Sequence, residues 1–231
     1  MSLFSLSPEE LSALYLSAKV ALFATAFSLP FAIGLAWVLA RYDFKFKVIV
    51  EAFLQLPMVL PPVVLGYLLL ILFGNQGFIG KYLSAMGFEL AFNWKGAVLT
   101  SMIVGFPLLV QPIRLAFQLS DRHLEEVAQT LGASFRQIFF KIYLPLAYPG
   151  ILMGCILGFS RSLGEFGATI TFIGNIPDET RTIPIAIYSF LQQPDGEIMA
   201  MRLVVLSLIL AFGALIVNYL VLHKYKNEPK G

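Results

Sequence analysis

Residues 203–222 run for 20 positions without one charged side chain. As a helix rising 1.5 Å per residue the stretch is about 30 Å long, the thickness of a bilayer's hydrocarbon core. In lipid every peptide N–H and C=O has to find its partner inside the protein, so a stretch of this kind is read as a helix that crosses the membrane. Residues 11–40, 48–73, 96–117 and 146–163 have a similar character. Across the chain 58% of residues are hydrophobic and 13% charged, against roughly 45–50% and 25% in soluble domains. The expectation is an all-α integral membrane protein with about five transmembrane helices, forming a single transmembrane domain over residues 1–231. Glu9 and Glu10, rather than a basic segment, precede the first apolar run, which is also too long for a signal peptide, so it reads as a retained helix. A net charge of +2 gives no nucleic-acid footprint. The lone Cys155 and two separated histidines, His123 and His223, offer no metal-site spacing.

The interruptions in these apolar runs carry the functional signal. Pro57, Pro61 and Pro62 fall within six positions of the second run, beside Glu51 and Gln55, and must break or bend it. Irregular backbone at membrane depth survives where protein shields it or where it lines a cavity. Pro61 and Pro62 are therefore candidates for a pathway or gate, with a plain interfacial kink as the alternative. Gly150, Gly154 and Gly158 recur every four residues on the fourth run, a face suited to close packing against a helix or a second subunit. Directly after it come Ser160, Arg161, Ser162, Gly164, Glu165, Gly167 and Thr169. Ionisable groups inside a span are costly unless paired or facing water. Arg161 and Glu165, four apart, can pair on one helix face, either as a structural ion pair or as part of a pathway or gate. The neighbouring hydroxyls can serve an oxyanion, or cap helices and close helix contacts. Short helices are expected near residues 78–86 and 183–191.

Basic residues are unevenly shared between the two sides. Arg41, Lys45, Lys47, Arg114, Arg122, Arg136, Lys141, Lys224, Lys226 and Lys230 fall on one side of a five-span chain. Lys19, Lys81, Lys95, Arg161, Arg181 and Arg202 fall on the other. Positive residues favour the cytoplasm, which puts the C-terminus and residues 121–143 inside and the N-terminus outside.

Residues 121–150 are the one half-polar reach. Leu124, Val127 or Ala128, Leu131, Phe135, Ile138 and Ile142 repeat at helical spacing, with Glu125, Glu126, Gln129, Arg136 and Gln137 on the other sides. A segment of this kind suits an interface with a soluble partner. No phosphate loop, dinucleotide motif, metal cluster or acyl-transfer elbow is present. Active transport would therefore draw its energy from another chain. A membrane-embedded enzyme or assembly factor is the competing class, but an enzyme would usually gather His, Asp or Glu at one face of the bilayer.

The same reach resembles the signature loop of the inner-membrane subunits of bacterial ABC importers: E-A-A, three residues, G, nine residues, I-x-L-P. It reads Glu126-Val127-Ala128, then Gly132, then Ile142-Tyr143-Leu144-Pro145, with every interval kept and only Val127 departing. The resemblance extends over most of the chain and implies the type I (MetI-like) importer fold, with residues 121–143 as a cytoplasmic coupling loop of two short helices that turn at Gly132. By it, Glu126, Ala128, Gly132, Ile142, Leu144 and Pro145 contact or shape the surface that docks on an ATP-binding subunit. The run from Ser160 to Thr169, with Gly174-Asn175-Ile176-Pro177, looks like the oxyanion branch, closer to its molybdate than its sulfate permeases. The resemblance further implies a homodimer in the bacterial inner membrane and two copies of an ATP-binding subunit that holds ATP and Mg2+. It also implies a periplasmic molybdate-binding protein, no cofactor or catalytic residue on this chain, and molybdate, with tungstate, as cargo. Sulfate or thiosulfate is the alternative.

Overall fold

The computed structural model describes residues 6–227, and every regular element among them is helical. Three helices are long and apolar enough to cross a membrane: α1 (Pro8–Arg41), α5 (Trp94–Leu119) and α12 (Glu197–Asn227). Two bent pairs bring the number of spans to as many as five. The first is α2 (Lys47–Val59) with α3 (Pro62–Phe73), and the second joins the segment Phe135–Leu146 to α9 (Tyr148–Leu163). Shorter pieces complete the chain: α4 (Gly80–Ala85), α6 (Arg122–Thr130), α7 (Phe135–Ile138), a π turn (Phe139–Tyr143), α8 (Leu144–Leu146), α10 (Gly167–Ile173) and α11 (Ile183–Leu191). The last helix starts at Glu197, six residues ahead of its apolar run. The side chains of His223, Lys224 and Lys226, and all of Lys230, lie outside the described residues.

The prolines account for the sharpest bend. Pro61 and Pro62 have no N–H to continue α2, and a residue before proline is driven to extended backbone. Leu60 and Pro61 adopt ψ values of 139° and 131°, and the axes of α2 and α3 differ by 111°. Pro30, Pro107 and Pro112, by contrast, are carried inside α1 and α5.

The centre of the bundle is α5, which lies against α1 and α9. Small residues make both contacts close. Ala21, Ala24, Ala32 and Ala36 line the buried side of α1. A Cβ on Gly150 would stand 2.6 Å from the Pro112 carbonyl oxygen, and one on Gly154 would stand 2.7 Å from that of Leu109. The glycine repeat thus joins α9 to α5 within the chain. With little hydrophobic drive between helices in lipid, such backbone approach supplies the dispersion contacts that hold them together.

Polar ties fix the two ends of α1. At its start Ser7 and Glu10 form a capping box. Arg202 at the head of α12 donates to both Glu10 oxygens, Nε to Oε1 at 2.8 Å and Nη2 to Oε2 at 2.9 Å, with both side chains buried. Arg181 pairs with Glu9 at 3.2 Å, and the Ser17 hydroxyl accepts from the Ile183 N–H at 2.7 Å. Farther along α1, the Lys19 ammonium sits 3.6 Å from the centroid of the Trp94 ring. At its end the Arg41 guanidinium lies over Tyr143 at 4.1 Å and donates to the Ser120 carbonyl at 3.1 Å.

Removing one partner of a buried ion pair strands the other charge, at a cost of about 3–5 kcal/mol, whereas replacing both by apolar groups is often close to neutral. Arg202→Ala should therefore lower the thermal midpoint of the detergent-solubilised protein sharply. The double variant Glu10→Gln/Arg202→Met should recover most of that loss. Monodispersity against temperature measures both.

Candidate functional site

Two regions gather the candidate residues. The first begins at Asp121, whose carboxylate accepts from the His123 N–H at 2.9 Å and caps α6. The helix ends in a Schellman turn: Ala133 N–H donates to the Ala128 carbonyl at 3.0 Å and Gly132 N–H to that of Gln129 at 2.9 Å. Gly132 takes φ +83°, the left-handed region where glycine is unstrained. A Cβ there would meet nothing within 4 Å, so backbone conformation, not space, selects this residue. Ser134 and Gln137 then form a capping box that restarts the chain as α7. The residues that repeat at one helical spacing are carried by two short helices with the turn at Gly132, as the loop resemblance implied.

The wide turn Phe139–Tyr143 has a local cause. Pro145 offers no N–H, and in an α-helix its ring would press on the Lys141 carbonyl four residues back. Bonding Leu144 N–H to Phe139 O, five residues back, opens the turn. This directs Tyr143 inward. Its ring is 4.5 Å from Trp37, which also meets Phe139 at 5.2 Å and Phe117 at 5.3 Å. The Tyr143 hydroxyl donates to Glu125, so it ties α6 to the same cluster. The basic connection after α1 adjoins this end. Asp43, 2.7 Å from Lys47, is held below the usual carboxylate range by that ammonium and, to a smaller extent, by Arg122.

The segment therefore has two sides. Ala128 and Ile142 pack against the core, and Leu144 is half-buried. Leu131 and Phe140 are 82% and 61% exposed, and Val127, Glu126 and Pro145 also face outward. Glu126 lies 3.3 Å from His123. The sequence drew no attention to Trp37, and it named Arg41, Glu125 and Tyr143 only for charge, polarity and the loop motif, not as the attachment they form. The one available hint was a tryptophan at the basic end of the first span.

In the second region, α9 stops at Leu163 and α10 begins at Gly167. The break adjoins the one between α2 and α3. Pro62 would lie 2.7 Å from a Cβ on Gly167, and a Cβ on Gly66 would lie 2.5 Å from the Ala168 carbonyl oxygen. Sequence positions a hundred residues apart are thereby packed together. Glu165, 2% exposed, is ion-paired with Arg161 at 2.7 Å and accepts from the Ala168 N–H at 3.0 Å. It ties the end of α9 to the start of α10. The Ser162 and Thr171 hydroxyls donate to carbonyls in their own helices, and the buried Thr169 hydroxyl has no partner among the described residues. Ser160 and Gly164 instead line an apolar cavity of about 360 Å³ with Ile183, Pro184 and Val204. Among the described residues, no three His, Cys, Asp or Glu side chains are grouped to hold a metal.

The turn makes a direct prediction. Gly132→Asn, tolerated at positive φ, should keep the Ala133 amide protected from hydrogen exchange. Gly132→Val should lose that protection at a local cost of about 1–2 kcal/mol.

Residues 28–225 match the family model described as binding-protein-dependent transport system inner membrane component. The chain is 53% identical over 210 residues to the molybdenum transport system permease protein ModB of Haemophilus influenzae, covering 90% of this chain and 92% of that one. It is 51% identical over 214 residues to the protein of the same name from Escherichia coli K12, covering 92% and 93%. A bacterial ABC transporter that imports the acidic polysaccharide alginate has a similar fold, with a TM-score of 0.72 at 19% identity, over 97% of this chain and 81% of that one. The chain belongs to the family of binding-protein-dependent transport system inner membrane components.

Proposed function

We propose that this member of the binding-protein-dependent transport family is the permease subunit of an ATP-driven importer that carries molybdate, and with it tungstate, across the inner membrane. The observation that carries the reading is 53% identity across 90% of the chain to a molybdenum permease. In this reading two copies form the pathway, each as one domain over residues 1–231. Two ATP-binding subunits, holding ATP and Mg2+, dock on residues 121–143 at the cytoplasmic side. A periplasmic molybdate-binding protein delivers the anion at the opposite face, where the N-terminus lies. Tight anion binding in the pathway would oppose release, so selectivity rests largely on the binding protein.

Several features support the coupling role. The outward apolar residues Val127, Leu131 and Phe140 suit an interface with a soluble partner, and Glu126 adds a charged rim. Displacement of that docking face would reach α1 through Trp37 and Tyr143, whose rings are 4.5 Å apart. It would reach α5 through Phe117, 5.3 Å from Trp37. Packed aromatic contacts transmit displacement because protein interiors resist compression. The candidate gate residues Pro61, Pro62, Gly164, Glu165 and Gly167 lie where two broken helices meet, near Val104 about midway along α5.

Uptake of labelled molybdate into vesicles containing the full complex tests the cargo. Molybdate uptake should persist in excess sulfate and disappear in excess tungstate. Loss of uptake at modest sulfate would transfer the assignment to a sulfate or thiosulfate importer.

A further inference from the structure

Two neighbouring glutamates on α6 serve different sides of the helix, since adjacent residues stand about 100° apart. Glu126 is 71% exposed at its side chain, whereas Glu125 is half-buried. The Glu125 carboxylate is held at both oxygens. Oε2 accepts from the Tyr143 hydroxyl, and Oε1 accepts from the Gln129 amide at 3.3 Å. Gln129 lies one turn along the same helix, so it orients the carboxylate without tying it to anything else.

The bond to Tyr143 matters because α6 has few other attachments. None of its residues is buried. Ala128 packs partly against the core, and the other side-chain hydrogen bonds of the helix are local. Among the described residues, Tyr143 to Glu125 is the one side-chain hydrogen bond that joins α6 to another element. The two connections of the helix are fixed separately. Arg41 donates to the Ser120 carbonyl next to the Asp121 cap, and the Gly132 turn follows the last residues. A helix held at its two connections and by one small side chain resists rotation about its own axis weakly. The Tyr143–Glu125 bond supplies the missing restraint. Tyr143 is itself fixed in the bundle: it is fully buried, its ring is 4.5 Å from Trp37, and the Arg41 guanidinium lies over its face at 4.1 Å.

We propose that the Tyr143–Glu125 bond is a coupling pin, and that both side chains are positioning residues for transport. When the docked ATP-binding subunit displaces the outward side of α6, the pin converts the displacement into movement of Trp37 and Arg41 on α1. Without it α6 turns under the load and the bundle stays where it is. A hydroxyl bonded to a carboxylate suits this use, because an ionised acceptor makes the bond stronger than a neutral pair. This inference rests on the reading that an ATP-binding subunit docks on residues 121–143.

The test uses the complete complex in vesicles and reads anion imported per ATP hydrolysed, with copurification of the ATP-binding subunit as the measure of assembly. Tyr143→Phe keeps the ring against Trp37 and removes only the hydroxyl. Glu125→Ala removes the acceptor, and Glu125→Gln keeps an oxygen that accepts the same bond. Expected are assembled complexes in which Tyr143→Phe and Glu125→Ala each import about fivefold fewer anions per ATP, the factor that one net hydrogen bond is worth. Glu125→Gln should stay within about twofold of the parent, and the double variant Tyr143→Phe/Glu125→Ala should be no worse than the poorer single one. Parental coupling in Tyr143→Phe would overturn the proposal. So would losses that multiply in the double variant, or Glu125→Gln as poor as Glu125→Ala. A Tyr143→Phe chain that no longer assembles would make the hydroxyl part of docking or folding, and overturn it too. A thiol-to-amine cross-link from Leu131→Cys to the ATP-binding subunit, in a Cys155→Ser background, separates the pin from the docking reading. No cross-link refutes both together. A cross-link with parental coupling in Tyr143→Phe refutes the pin and leaves the docking in place.

Discussion

A peptide group left unpaired in hydrocarbon costs several kcal/mol, and much of this structure follows from how its two interrupted helices meet that constraint. Neither break stands alone, although Pro61, Pro62 and Gly164 keep an exposed side. The α2–α3 break is packed on the α9–α10 break through Pro62 and Gly167, with Gly66 against Ala168 beside them. Prolines remove donors that would otherwise need partners, and glycines let the two backbones close over one another. Where a donor remains, at Ala168, a side chain reaches it: Glu165 accepts that bond from within its own connection. Two defects thus share one contact.

At the end of the bundle that holds Arg41 the solution is aromatic. The segment from α6 to α8 has little buried surface of its own, and α6 has no buried residue. It is held by a few large inward groups, with Tyr143 and Ile138 buried and Phe139 partly so. The π turn brings Tyr143 into position against Trp37. The segment can therefore leave its other side apolar and open without detaching from the helices. A docking surface needs that combination of firm attachment beneath and unsatisfied apolar area above.

Much of this was legible in the sequence because it depends on local rules. Pro61 and Pro62 forecast the sharp bend, the long apolar runs forecast membrane helices, and the intervals from Glu126 to Pro145 forecast a signature loop. Arg161 and Glu165 at four-residue spacing forecast their ion pair. Features that depend on which helices become neighbours were not legible. The glycine repeat left helix and subunit packing open, and only tertiary structure assigns it to α5. Nothing local to Tyr143 announces that Trp37, more than a hundred residues earlier, will receive it. The loop resemblance put the turn at Gly132, but which side each short helix buries was not legible: Leu131 faces out while Ile138 faces in.

One feature of α1 extends beyond the protein. Between Lys19 and Arg41 it carries no charge, and the 22 steps between them span about 33 Å of helix. Each cation lies over an aromatic ring on another part of the chain, Trp94 at one end and Tyr143 at the other. The helix is in effect a gauge with both marks riveted to the bundle. A thinner bilayer cannot be met by sliding α1 alone, and long helices accommodate such mismatch by tilting. Because α1 is packed along α5 and α9, its neighbours must tilt with it. The thickness of the surrounding lipid thereby enters the angle at which the cytoplasmic face is presented.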